Sequence, residues 1–172
     1  MVSGVTSLME ESMKRLLSLL LAGVAGLVLC VSVAMAAAIE TDYFTLDLPA
    51  GWTQPQPVQK ANGAVVAVVQ NTAAQSAVSI TVTPVPLPAK DLATQTLANM
   101  KTGGFTVSDP VAVGDIYVGE FSNGPAKGVS YFGSNGTAGC VVTVLGASTD
   151  AGKALLNAHF KSKDSKLFPA SF

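Results

Sequence analysis

A chain of 172 residues that is 49% hydrophobic and only 12% charged carries about half the charge of an ordinary soluble domain, where roughly 25% is usual. Net charge is −1, and beyond residue 36 lysine is the only strong base, outnumbered by the acids by one. Without arginine there is no bidentate grip on phosphate, which argues against nucleic acid as a partner.

Residues 16–38 hold no charge and follow Lys14-Arg15 directly. A basic start, an apolar run and a small-residue exit at Ala34-Met35-Ala36 are the three parts of a secretory signal peptide. Residues 1–36 are assigned to it, with cleavage after Ala36 or Ala38. Glu10-Glu11 fits poorly in the basic part and points to translation from Met13. The run is long enough to cross a bilayer, so an inner-membrane anchor is the alternative. Leu29, which is not small, precedes Cys30 and argues against lipid attachment. The expected destination is the periplasm or the exterior, with the membrane touched only through this segment if it stays uncleaved. Loss of Cys30 leaves Cys140 without a partner, so no internal disulfide is expected.

Residues 39–172 read as one domain. Tyr43–Leu48 alternates, with Phe44, Leu46 and Leu48 on one face, as a half-buried strand does. Pro49-Ala50-Gly51 ends it in a turn that lets Trp52 fold back on the sheet. Residues 53–58 are proline-rich and predict an extended connector. Asn62-Gly63 opens a hairpin-like pair of strands, Ala64–Gln70 and Ala77–Val82. The first is apolar at nearly every position, which suggests burial on both faces or a central location. Pro84–Pro88 breaks the sheet, and a helix is expected over 89–102, stopped by Gly103-Gly104.

Phe105–Val107 and Val111–Val113, separated by Asp109-Pro110, read as short irregular strands. Ile116–Ser122, Ala126–Phe132 and Thr137–Leu145 are joined by glycine- and asparagine-rich turns and predict a three-stranded meander. Ser148-Thr149-Asp150 begins a second helix, with Ala151, Leu155, Leu156, Ala158 and Phe160 set to pack on the sheet. Lys161, Lys163 and Lys166 then read as a solvated helix end. Leu167–Phe172 carries two aromatics that either lie on the surface or dock on the core.

The Phe-x-Leu-x-Leu-Pro-x-Gly-Trp stretch at Phe44–Trp52, the Val78–Val82 strand and a closing helix at 149–162 resemble the PsbP-like and DcrB-like superfamily of small exported α+β domains. The resemblance implies an antiparallel β-sheet with helices packed against it, an α-β-α sandwich. It also implies binding or assembly work rather than catalysis.

Catalytic patterns are not recognisable. His159 is the single histidine, and no Gly-x-Ser-x-Gly elbow supplies a nucleophile for it. Cys140 lies in an apolar run and reads as a small core side chain rather than a reactive thiol. One histidine and one cysteine cannot build a zinc cluster, and the acids follow no calcium-loop spacing. No cofactor and no metal are expected. The function expected is that of a non-enzymatic envelope protein with an unidentified protein partner. The alternative is a small-molecule module with a pocket between sheet and helix, for which Trp52 is the speculative ligand-binding residue.

Overall fold

The computed structural model describes residues 38–172, so the signal peptide, Met13, Cys30 and Ala36 lie outside the described residues. The elements in order are β1 (Ala38–Glu40), β2 (Phe44–Asp47), β3 (Gln59–Ala61), β4 (Ala64–Asn71), β5 (Ser76–Thr83) and α1 (Ala89–Thr102). They continue with β6 (Thr106–Val107), β7 (Val111–Val113), β8 (Ile116–Asn123), β9 (Ala126–Ser134), β10 (Gly139–Gly146), α2 (Asp150–His159) and β11 (Phe160–Ser162).

All strand pairs are antiparallel and fall into two sheets. The larger has the order β3-β4-β5-β10-β9-β8-β6, with β7 also paired to β8. The smaller is β1-β2-β11. Its centre is the strand of the opening motif, flanked by the first and last strands of the described chain. Thr41 makes the link from β1 to β2 tight. Its buried hydroxyl donates to the Phe44 carbonyl (2.9 Å) and accepts from the Phe44 amide (3.0 Å).

The two sheets face each other across the main core. Phe44, Leu46 and Leu48 pack with Val65, Ala67 and Val69 of β4, Val78, Ile80 and Val82 of β5, and Val142 and Val144 of β10. The period of two puts these residues on one face of every strand. α2 completes the same side through Leu155 and Leu156. Gly152 lets it come close, because a Cβ there would stand 2.4 Å from Val144 Cγ1. Against the opposite face of the larger sheet, α1 sets Leu92, Ala93 and Leu97 on Phe132 and Val141.

The expected α-β-α sandwich is therefore corrected. The described residues are 44% strand and 18% helix, a β-rich fold with two sheets and two helices. What lies opposite α1 is chiefly a second sheet, not a helical layer. The physical reason is that β1, β2 and β11 are short strands whose apolar faces need a partner sheet, and their edges find one another across the whole chain.

Two local expectations also change. The helix expected to reach 162 stops at His159, and Phe160–Ser162 crosses to pair with Phe44–Leu46 as β11. β4 is buried on one face only. Val65, Ala67 and Val69 are enclosed, whereas Val66 and Val68 are half-buried, because α1 covers the other end of the sheet.

The tail docks on the core. Leu167 and Phe168 are buried, and an aromatic cluster forms around Phe44. Phe160 stacks on Phe44 with ring centroids 5.4 Å apart, and Phe168 meets both rings. Phe172 stands edge-on to Phe160 and Tyr131, at 5.4 and 5.1 Å. The Asn157 side chain clamps Phe172, donating to its carbonyl (3.0 Å) and accepting from its amide (2.8 Å). Asn135 ties the start of the tail by donating to an Asp164 carboxylate oxygen at 2.7 Å.

Candidate functional site

The residues with catalytic side chains are scattered through the fold. Cys140 is wholly buried on β10, and desolvation pushes its thiol well above the ordinary value, so it stays protonated at neutral pH. His159 ends α2 in a half-buried position. Asp42 and Asp47 are exposed at opposite ends of β2. Among the described residues, no three of the His, Cys, Asp and Glu side chains come close enough to hold a metal ion. Lys161 and Lys163 lie on and just after β11 instead of a helix end. Lys163 Nζ donates to the Thr41 carbonyl at 2.7 Å and pairs with Glu40 at 3.4 Å.

Two hollows open on the surface. One, of about 290 Å³, lies between Asp42-Tyr43 and the β3–β4 turn, with Lys60 and Asn62 on its rim. The other, of about 230 Å³, lies between α2 and the tail and is floored by Leu156, Phe160, Phe168 and Phe172. Trp52 lines neither. Its amide donates to the Pro49 carbonyl (3.1 Å), closing the expected turn, and its side chain packs half-buried against the main core.

The feature that stands apart is at the other end of the larger sheet. Val111 and Val113 of β7 are 61% and 56% exposed, the exposed large hydrophobic residues of the described chain. The pairings Val111 to Val118 and Val113 to Ile116 put both valines on the same face as those residues. That is the core face: Ile116 is buried in it, and Val118 packs half-buried against it. Val118 in turn pairs with Tyr131, whose ring meets Phe172. An apolar strip thus runs from the open edge of the sheet, through Val118 and Tyr131, to the aromatic cluster.

The rim of this strip is acidic. Glu120 lies two residues beyond Val118 on the same face and is exposed. The Tyr131 hydroxyl is held above its ordinary value by burial first and by the Glu120 charge second. Asp109 and Asp115 flank β7 on either side, both exposed. The strand itself is set by its surroundings in sequence. Pro110 lacks an amide and tolerates a sheet edge, and Gly114, with φ of 60°, forms the two-residue turn Gly114-Asp115 into β8.

Sequence reasoning recognised β7 as a short strand and missed its exposure. The signal available was Val-Ala-Val with an aspartate close to each end, an apolar run too short to be a core strand. No family model matches this chain, and no curated protein is significantly similar to it.

Proposed function

We propose that this chain is an exported, non-enzymatic protein-binding domain that assists assembly in the cell envelope. The observation that carries this reading is the exposed apolar pair Val111 and Val113, continued by the half-buried Val118, on a domain whose other described large apolar side chains are buried or half-buried. Exposed apolar surface rimmed by polar groups is the usual mark of a protein contact. The export reading rests on the basic, apolar and small-residue succession of Lys14-Arg15 through Ala36. A buried, protonated Cys140 and a single histidine in a sequence without a Gly-x-Ser-x-Gly elbow also support a binding role over catalysis.

A photo-crosslinking residue at position 113, with a control at the exposed Ala73 loop position, tests the proposal in the producing cell. Discrete protein adducts are expected from position 113 alone, and Val111→Lys should abolish them. Recovery of monomer only, or the same adducts from both positions, would refute it.

A further inference from the structure

β7 is an edge strand of three residues that follows Pro110; it is apolar and exposed, and carries neither a lysine nor an inward charge of its own. Exposed edges are ordinarily blunted in such ways because their free backbone groups pair with other chains. The backbone groups of β7 can be assigned from the register. Val113 and Ile116 close the two-residue turn and therefore exchange both backbone hydrogen bonds across it. Antiparallel pairing alternates, so Val111 and Val118 do the same, while Ala112, opposite Tyr117, turns its amide and carbonyl away from β8. No strand among the described residues lies on that outer side.

Charge then chooses the occupant. A second copy could pair β7 to β7 about Ala112, matching Val111 with Val113. The same register brings Asp109 of each copy towards the end of the other that carries Asp115, and like charges at both ends disfavour the pairing. A strand with lysine or arginine at both ends meets the same aspartates favourably, and Glu120 adds a third negative charge on the apolar face.

We infer that the β7 edge accepts, by strand addition through Ala112, an extended partner segment whose apolar residues are bracketed by basic ones. The inference rests on the protein-binding reading and narrows it to a backbone-paired, cation-flanked strand. Alternate side chains of that strand lie against Val111 and Val113, and its backbone takes the free Ala112 amide and carbonyl.

The test uses a short synthetic peptide alternating valine and threonine with a lysine at each end, and a second with glutamate at each end. Hydrogen exchange of the Ala112 amide in the purified protein should slow with the lysine-ended peptide. The glutamate-ended peptide should bind about tenfold more weakly, since each end exchanges a weak attraction for a repulsion. In the double variant Asp109→Lys/Asp115→Lys the preference should reverse. Ala112→Pro should abolish peptide binding with the melting temperature retained, because that amide takes no part in the β8 ladder.

Equal binding of both peptides overturns the charge assignment, and binding without protection of Ala112 overturns strand addition. Absence of binding by either peptide overturns the inference. If position 113 still crosslinks a protein in the cell while either peptide result fails, the protein-binding reading stands and this narrowing of it falls.

Discussion

Asp164 shows how one side chain can anchor a chain end. Its carboxyl is held below the ordinary carboxylate range chiefly by the Asn135 amide, then by the Lys166 amide and ammonium and the Leu167 amide, with partial burial opposing. A carboxylate depressed in the folded state contributes fully above its unfolded pKa, about 3.9. That contribution is lost as pH falls through the lower folded value. Asn135→Ala should therefore lower stability by about 1–2 kcal/mol at neutral pH. It should also flatten the decline in stability below about pH 4. Urea denaturation of both proteins at neutral pH and through an acid series measures this; an unchanged acid slope would mean that Asn135 does not set the Asp164 titration.

At the scale of elements, β4 distinguishes burial from composition. Its valines are chemically identical, yet Val69 is 1% exposed and packs between the sheets, while Val68 is half-buried on a face that α1 does not reach. Val69→Ala should cost about 2 kcal/mol, from two lost methyl groups and the cavity left behind. Val68→Ala should stay within about 0.5–1 kcal/mol. Chemical denaturation of the two variants separates these values, and equal losses would mean that the second face is covered.

What was legible in the sequence was local. The meander of β8, β9 and β10 announced itself through Asn123-Gly124-Pro125 and Ser134-Asn135-Gly136, and α1 through the proline break before it and Gly103-Gly104 after it. The Phe44–Asp47 strand followed from alternation and the Pro49–Gly51 turn from residue type. Long-range pairing was not legible. Phe160 falls four residues after Leu156 and so continues the apolar stripe of α2, while its actual place opposite Leu46 depends on a strand from the far end of the domain. The same holds for the proposed contact surface: Val111–Val113 looks like any short strand until both valines are seen to stand exposed at the end of the core face.

At the scale of the whole molecule, the second sheet joins residues near both ends of the described chain, with Phe44 opposite Ser162 and Thr45 opposite Lys161. Topologies dominated by such distant pairings fold slowly, on the order of milliseconds to seconds. Pulse-labelled hydrogen exchange during refolding should protect Val142 and Val129 in the meander before Thr45 and Lys161. Simultaneous protection of all four would show that the two sheets form in one step.

The pairing of β2 with β11 has a consequence for a chain synthesised amino end first. Until Ser162 has emerged, Phe44 and Leu46 have only the three residues of β1 beside them, and an isolated two-stranded ribbon is marginal in water. The smaller sheet thus stays incomplete until β11 has been made, even where β8, β9 and β10 can already pair. A chain halted before Phe160 would lack β11 and leave one edge of Phe44–Asp47 unpaired, open to chaperones and proteases.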